Sequence, residues 1–264
     1  MALDGYTRFD FSRQGRILTA TIRAPGPVNA VDAALHAELA RVFADLQHDE
    51  GSDLVILTGH GRAFCAGGDF DWFDDQIANP QKFREIGWEA KRIVTSLLEL
   101  EKPIICRMNG AAAGLGATVA LLCDIIVADE TAAIGDPHVK VGLVAGDGGA
   151  VIWPALVGMA RAKEYLLTGD LIRAKDAVAM GLVNHAVPAA ELDAKVAEIA
   201  AKILGNPRFA VRWTKVVMNQ TLRQLAVQSM DASIPYETLS NMTADRAEAV
   251  AAFRERRAPN LSGD

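Results

Sequence analysis

Hydrophobic and polar positions alternate in two short segments near the start of the chain, at residues 8–12 and 17–22. Arg13-Gln14-Gly15 separates the two segments, and this arrangement predicts a β-hairpin. Apolar residues then recur at helical spacing from Leu35 to Leu46, which predicts an amphipathic helix. Asp32 precedes that helix and is a residue type that caps helix N-termini.

Strands and helices alternate in the next part of the pattern, between residues 54 and 129. The predicted elements are, in chain order, a fully apolar strand at 54–58, a helix at 80–100, a strand at 104–107, a buried helix after residue 116 and a strand at 124–129. Fully apolar strands are typical of sheets covered on both faces, and this alternation is typical of parallel pairing. The sequence therefore predicts an α/β fold.

The second half of the chain has a largely helical pattern. The predicted elements are a helix that starts after Gly149 with Pro154 in its first turn, helices at 161–168 and 174–180, a strand at 182–187, and helices at 189–204, 207–231 and 233–257. The last two interruptions between helices are predicted at Gly205-Asn206-Pro207 and at Ser233-Ile234-Pro235. We therefore expect an α/β core over residues 1–190 and a helical segment over 191–264.

Composition narrows the class of protein. The 264 residues are 50% hydrophobic and 23% charged, which suits a soluble globular domain, and the net charge of −6 without a long basic run argues against nucleic acid as a partner. Residues 1–10 lack the pattern of a secretory signal, and no apolar stretch is long enough to span a membrane. Cys65, Cys106 and Cys123 lie in apolar surroundings, so we expect reduced thiols in a cytoplasmic protein. Five scattered histidines predict no metal site.

Two glycine-rich turns, at residues 66–68 and 114–116, each follow a predicted strand and open a helix. Both turns should lie at the same edge of the sheet, where open α/β folds place their ligands. The first N–H groups of a helix have no partner inside the helix, so such turns can hold a negatively charged oxygen as an oxyanion hole. A core helix that glycine allows to pack closely against a neighbour is the alternative interpretation.

Several blocks of the chain, in this order, resemble the enoyl-CoA hydratase/isomerase (crotonase) superfamily. They are Pro27-Val28-Asn29-Ala30, LTGHGRAFCAGGDF at 57–70, NGAAAGLG at 109–116, CDIIVA at 123–128, GLVAGDGG at 142–149, LLTGD at 166–170, AMGLVNHAVP at 179–188 and AFRERR at 252–257. The resemblance implies a crotonase-like spiral of ββα repeats, and a C-terminal helical segment that forms a homotrimer or a dimer of trimers. It also implies an acyl-CoA thioester as partner, with coenzyme A as part of the substrate and no permanently bound cofactor, in fatty acid metabolism.

The same resemblance assigns roles to particular residues. The two oxyanion-hole N–H groups are those of Gly68 and Leu115, with Gly114 as the adjacent alternative. The substrate-binding positions are Val28, Ala30, Ala66, Asp69, Phe70, Gly114, Thr118, Pro137 and Val141. Arg256 and Arg257 match basic positions that reach the phosphates of coenzyme A, although a solvated helix end that complements the helix dipole is an equal alternative.

The chain departs from the family pattern where hydratases carry two glutamates that hold and activate water. Thr118 and His138 occupy those positions, and threonine cannot act as a general base at neutral pH. His138 and Asp147, nine residues apart on one polar loop, then remain as an acid–base pair that faces the acyl group. Considered singly, His138 is typical of a structural loop histidine and Asp147 of a helix cap. Three further acids are expected on the solvated face of a short helix: Asp71, Asp74 and Asp75.

Three functions remain open from the sequence. The first is hydration or isomerisation of an enoyl-CoA by a lyase or isomerase that stabilises a thioester enolate, with Asp147 and His138 as acid–base groups. The second is CoA-independent carbon–carbon hydrolysis, because the chain resembles 6-oxocamphor hydrolase, a β-diketone hydrolase, in its Gly-Asp-Gly turn and in the histidine nine residues before that aspartate. The third is a non-enzymatic RNA-binding or assembly role, against which the acidic balance argues.

Overall fold

The computed structural model describes residues 3–264. Residues 1 and 2 belong to the N-terminal segment that was predicted not to be a secretory signal, and they lie outside the described part. The strands are β1 (Phe9–Gln14), β2 (Ile17–Ile22), β3 (Leu54–Gly59), β4 (Ala63–Cys65), β5 (Ile104–Met108), β6 (Ala111–Ala113), β7 (Ile125–Asp129), β8 (Ala133–Gly135), β9 (Ile172–Arg173) and β10 (His185–Val187). The helices are α1 (Ala33–His48), α2 (Phe70–Ala78), α3 (Pro80–Glu99), α4 (Leu115–Leu122), α5 (Gly149–Thr168), α6 (Ala174–Ala179), α7 (Leu192–Leu204), α8 (Arg208–Asn241) and α9 (Ala244–Glu255).

The strands form two sheets. The larger sheet has the order β1-β2-β3-β5-β7-β10, and only the hairpin pair β1 and β2 is antiparallel. The smaller sheet has the order β4-β6-β8-β9, with parallel pairing except between β8 and β9. Each of β3, β5 and β7 is followed by a strand of the smaller sheet and then by a helix, which confirms the predicted α/β fold built from ββα repeats.

Burial explains why the central strands are apolar along their whole length. Helices α1, α3, α4 and α5 form the main core together with strand residues such as Leu57 and Cys106. Helix α7 covers the other face, where Val196 and Ile199 contact a second cluster that includes Leu54 and Ile105. A strand between two apolar layers has no polar face, so its sequence shows a continuous hydrophobic run.

Two details of the helical predictions are wrong. Helix α8 continues through Pro235, because contacts on both sides of that residue hold the helix in place: the Ser233 hydroxyl donates to the Gly146 carbonyl (2.7 Å), and the Ser240 hydroxyl accepts from the Val144 N–H (3.1 Å). The break lies instead before α9, whose N-terminus Thr243 caps. Pro154 lies inside α5 and not in its first turn, because α5 already begins at Gly149.

Other expectations are confirmed with smaller changes. Asp32 caps α1 by accepting from the Leu35 N–H (2.7 Å). The predicted separation of α5 into two helical segments occurs at Gly158, which has a φ of 77°. The three cysteines are free thiols buried in the protein. Among the described residues, no helix combines the length and apolar character needed to cross a membrane. The residues after 191 are helical, and their role in forming a trimer stays a prediction.

Candidate active site

The first glycine-rich turn lies between β4 and α2 and pairs with the segment that precedes α1. The Val31 N–H donates to the Gly67 carbonyl (2.8 Å), and the Asp69 N–H donates to the Val31 carbonyl (2.9 Å). Gly67 has a φ of 95°, a backbone conformation that favours glycine. This arrangement engages the Asp69 N–H, whereas the N–H of Gly68 donates no hydrogen bond within residues 3–264.

The second turn lies between β6 and α4. The Gly114 N–H donates to the Gly135 carbonyl (3.1 Å), and the first bond of the helix runs from the Thr118 N–H to the Gly114 carbonyl (3.0 Å). Gly114 has a φ of 53°, so the chain can bend sharply into α4. Leu115 is the first residue of that helix, and its N–H has no partner among the described residues.

The two turns pack directly against each other. A Cβ atom on Gly116 would lie 2.1 Å from the Cys65 carbonyl oxygen, and one on Gly67 would lie 3.4 Å from the Ala113 carbonyl oxygen. The glycine at position 116 is therefore required for the close approach of the two chain segments. Gly68 and Leu115 both line one pocket that holds about 580 Å³ of space not occupied by protein atoms. The predicted pair of donors is thus brought to a common cavity.

His138 and Asp147 line the same pocket. His138 begins a 3₁₀ turn (His138–Val141) after β8, and Asp147 lies just before α5. The Nε2 atom of His138 lies 3.4 Å from Asp147 Oδ2, and its Nδ1 atom contacts Asp136 Oδ1. The Thr118 hydroxyl lies 3.4 Å from the other oxygen of Asp147. The two predicted acid–base residues therefore meet, and Asp136, which the sequence did not single out, completes a row of three groups.

Charge controls the protonation of this row. Burial alone would lower the pKa of His138, but the negative charges of Asp136 and Asp147 raise that pKa well above the usual histidine value. Burial would also raise the pKa of Asp147, but the charge and hydrogen bond of His138, the charge of His36 and the Gly149 N–H together hold that pKa below the usual carboxyl value. At neutral pH these shifts favour an imidazolium at His138 and a carboxylate at Asp147.

Asp136→Asn is expected to lower the pKa of His138, because it removes one of the two charges that stabilise the imidazolium while keeping an oxygen that can accept from Nδ1. An NMR pH titration of the His138 ring measures this change, with the signal assigned by its loss in His138→Gln. Asp170→Asn is the control, because it removes an exposed carboxylate that pairs with Lys140 (2.8 Å) on the same loop. A His138 titration that moves equally in both variants, or in neither, would contradict the assignment.

The same pKa shifts define the pH range in which His138 and Asp147 stabilise the folded protein. The raised pKa of His138 means that its stabilising contribution is fully present below the usual histidine pKa and is lost as pH rises through the folded value. The lowered pKa of Asp147 means that its contribution is present above the usual aspartate value and is lost as pH falls through the folded value. The pair therefore supports the fold most strongly in the acidic to neutral range between those limits.

The remaining predicted positions are not among the residues that line the pocket. They are Val28, Ala30, Ala66, Asp69, Phe70, Gly114, Thr118, Pro137 and Val141. Asp69 caps α2 by accepting from the Asp71 and Trp72 N–H groups, and Phe70 stacks on Phe253 of α9 with ring centroids 4.8 Å apart. Their roles in binding substrate stay predictions.

The charged residues outside the pocket form ion pairs within the chain, and the role of Arg256 and Arg257 toward the phosphates of coenzyme A stays a prediction. Arg257 pairs with Glu248 (2.5 Å) and Glu255 (2.5 Å), so carboxylates of its own chain engage its guanidinium. Three acids lie on exposed surface, where Asp71 and Asp74 pair with Arg254 and Asp75 pairs with Lys82. A solvated helix face was predicted for these three acids and is confirmed.

Several residues that complete the pocket belong to no motif in the sequence. His36 of α1 lines it and contacts Glu89 of α3, with 2.6 Å between Nδ1 and Oε2. Glu237 of α8 lines it as well, beside Ile234 and Thr238. These residues come from elements far apart in the chain, and none of them belongs to a recognisable local motif. Only the packing of α1, α3 and α8 brings them together.

Metal-binding chemistry is the remaining possibility for this cluster. Ligand atoms of Asp136, His138 and Asp147 lie within 4.8 Å of one another, although the scattered histidines of the sequence predicted no metal site. Both ring nitrogens of His138 already face carboxylates, and the raised pKa keeps the ring protonated. These contacts fit a proton-exchanging cluster in which both ring nitrogens face carboxylates.

Comparison with known proteins agrees with this geometry. The model of the enoyl-CoA hydratase/isomerase family matches residues 12–264. The chain is similar to 1,2-epoxyphenylacetyl-CoA isomerase of Escherichia coli, with 31% identity over 94% of this chain and 95% of that protein. Among solved structures, an enoyl-CoA hydratase/isomerase from Mycobacterium paratuberculosis has 36% identity, covers 94% of this chain and 99% of its own, and gives a TM-score of 0.89.

A further similar structure is a β-diketone hydrolase from the cyanobacterium Anabaena sp. PCC 7120 bound to (S)-3-oxocyclohexyl acetic acid. It has 30% identity, covers 91% of this chain and 96% of its own, and gives a TM-score of 0.85. The extent of the family match, together with the two sheets and the paired glycine turns, decides the classification: this chain belongs to the enoyl-CoA hydratase/isomerase family.

Proposed function

We propose that the protein is an acyl-CoA-processing enzyme that stabilises the enolate of a thioester. The observation that supports this most strongly is the presence of two unpaired main-chain N–H groups, at Gly68 and Leu115, in one pocket with His138 and Asp147. In the proposed complex the thioester carbonyl oxygen accepts from both N–H groups. Each donor then contributes about 2.7–4 kcal/mol to stabilising the negative charge that develops on that oxygen.

The proposed reaction is a shift of the double bond within an enoyl-CoA. The Asp147 carboxylate takes a proton from the acyl chain, the electron pair moves onto the carbonyl oxygen, and the resulting dienolate is protonated at another carbon by the same pair of residues. Protonated His138, held by Asp136 and Asp147, keeps a second proton beside the site. Hydration is the less favoured outcome, because the hydroxyl of Thr118 contacts Asp147 and cannot itself activate water.

A panel of enoyl-CoA and dienoyl-CoA thioesters, incubated in H₂O and in D₂O and analysed by mass spectrometry, tests the proposal. Isomerisation leaves the product mass unchanged in H₂O and adds deuterium in D₂O. Hydration adds the mass of one water molecule. Absence of any product or exchange from the whole panel would contradict an acyl-CoA substrate.

Carbon–carbon hydrolysis of a β-diketone is the second candidate function. It is supported by the similar Anabaena enzyme and by the nine-residue separation of His138 and Asp147. In this reaction water adds to one ketone, the bond to the central carbon breaks, and that carbon keeps the electron pair as an enolate. Its oxygen would accept from Gly68 and Leu115, and a proton from the His138–Asp147 pair would complete the ketone.

Calorimetry separates the two candidates. Binding of acyl-CoA in the absence of turnover of bicyclic β-diketones supports the first, and diketone cleavage without binding of acyl-CoA supports the second. For the first candidate we further propose that coenzyme A enters only as part of the substrate, along the segments that contain Val28, Ala66 and Phe70. We also propose a cytoplasmic homotrimer or dimer of trimers as the working form.

A further inference from the structure

One face of α8 is fixed against the loop that leads to Asp147. Ser233 donates to the Gly146 carbonyl (2.7 Å), and Ser240 accepts from the Val144 N–H (3.1 Å). Glu237 lies four residues after the first serine and three before the second, so all three residues share that face of the helix. The helix therefore presents the side chain of Glu237 to Gly146, the loop residue that precedes Asp147.

The loop leaves space for this side chain. A Cβ atom added to Gly146 would lie 2.6 Å from Glu237 Oε2, so the carboxyl group occupies the volume that a side chain at position 146 would need. Glu237 lines the pocket together with Ile234, one turn earlier in α8, and Thr238, the next residue. The carboxyl group thus reaches the cavity that also contains Gly68, Leu115 and the catalytic pair.

The carboxyl group has no partner in the described part of the protein. Glu237 is 7% exposed, and neither of its carboxyl oxygens takes part in a hydrogen bond with residues 3–264. These carboxyl oxygens are not fully enclosed by protein atoms, so they border the open space of the pocket. A buried polar group of this kind costs free energy until a ligand supplies its hydrogen bond.

The surroundings decide the charge of Glu237. The ionisable groups that act on it are Asp136, His138 and Asp147 from the loop and Arg246 from α9. His36 of α1 lines the same pocket and pairs with Glu89 of α3. Burial and the negative charge of Asp147 raise the pKa of Glu237 to about 8, although His138 and Arg246 act in the opposite direction. At neutral pH the group is therefore a neutral acid with an O–H donor.

We propose that Glu237 donates a hydrogen bond to a second oxygen atom on the acyl group of the substrate and so selects oxygen-bearing acyl groups, such as oxoacyl or hydroxyacyl chains. This inference rests on the proposed function, because it takes the first oxygen to be the thioester carbonyl at Gly68 and Leu115. A substrate without the second oxygen leaves the buried donor unpaired, and such a loss discriminates between otherwise similar ligands.

Calorimetric titration with oxoacyl-CoA thioesters that carry the keto group on C3, C4 or C5, and with their unsubstituted counterparts, tests the inference. At least one oxoacyl-CoA is expected to bind about 10-fold more tightly than its counterpart, as one additional hydrogen bond allows. In Glu237→Leu this preference disappears. The absence of any preference in the unmodified protein, or its persistence in Glu237→Leu, would overturn the inference.

Glu237→Gln separates hydrogen bonding from simple packing, because glutamine keeps a donor of similar shape but does not ionise. We expect Glu237→Gln to keep the preference for the oxoacyl chain. In the unmodified protein the preference should weaken as pH rises past about 8, where Glu237 ionises, whereas in Glu237→Gln it should not. An equal loss of preference in both proteins at high pH would contradict the role of Glu237.

Infrared spectroscopy provides a readout that needs no substrate. A carbonyl band of a protonated carboxyl group should be present at pH 7, fade above pH 8 and be missing in Glu237→Gln. If the band is present but the protein binds no thioester, the proposed function fails. The same titrations of both variants are then repeated with bicyclic β-diketones in place of the thioesters. If the band is missing, the inference itself fails. Thermal denaturation of each variant identifies changes that come from loss of the fold.

Discussion

Replacing Asp147 with asparagine is expected to lower kcat by about 10²- to 10⁴-fold, the range over which a positioned acid–base group contributes to catalysis. Asparagine has nearly the same shape but cannot accept a proton from the acyl chain. It also removes one of the two charges that keep His138 protonated, so both members of the pair lose their function together. Turnover of the substrate identified by the thioester panel measures the effect.

Controls for substrate binding and for folding are needed to interpret this experiment. Asp147→Asn should bind an unreactive saturated acyl-CoA nearly as tightly as the unmodified protein, because the thioester oxygen is expected to contact main-chain N–H groups. Thr118→Val is the matched variant, since it removes the hydroxyl that lies 3.4 Å from Asp147 but leaves the carboxylate in place. We expect Thr118→Val to retain most of its activity. Unchanged turnover in Asp147→Asn would remove Asp147 from the mechanism.

Leu115→Pro is expected to lower kcat by about 10²- to 10³-fold, the typical effect of losing one oxyanion-hole donor. A main-chain donor cannot be removed by shortening a side chain, but proline has no N–H. Proline is tolerated at the first position of a helix, where the N–H has no partner inside the helix, and Leu115 holds that position in α4. The substitution therefore removes the proposed donor with limited damage to the helix.

Leu115→Ala is the control for this prediction, because it removes the buried leucine side chain and keeps the N–H group. It should lose stability through the smaller side chain, yet its kcat should stay much closer to that of the unmodified protein. Circular dichroism and thermal denaturation establish that both variants fold. Equal losses of kcat in Leu115→Pro and Leu115→Ala would show that packing, and not the N–H group, explains the effect.

The hydrophobic pattern predicted the central part of the fold because its elements are long and buried. The strands β3, β5 and β7 and the helix α3 each show a run or period that distinguishes them. The strands of the smaller sheet have two or three residues each, too few for any period to be recognised. The course of α8 through Pro235 was missed because the contacts of Ser233 and Ser240 with a distant loop outweigh the local preference of proline.

The candidate site was predictable only where its chemistry is concentrated in motifs. The glycine turns and the His138–Asp147 loop carry local signals, and the structure places all four predicted catalytic residues around one pocket. Asp136 was quoted only as part of a sequence block, and nothing in that block indicated that its carboxylate would contact the imidazole of His138. Glu237 lies 90 residues after Asp147 on an ordinary helix. Its place in the site depends on tertiary packing alone.

The origin of the pocket walls has a practical consequence for protein engineering. The proposed donors at Gly68 and Leu115 belong to turns anchored in the sheets, whereas Ile234 and Thr238 belong to a single helix near the end of the chain. A mutant library confined to those two helical positions would vary the shape of the cavity and leave the reacting groups untouched. New acyl preferences could therefore be selected from very small libraries, with the chemistry carried over unchanged from the parent.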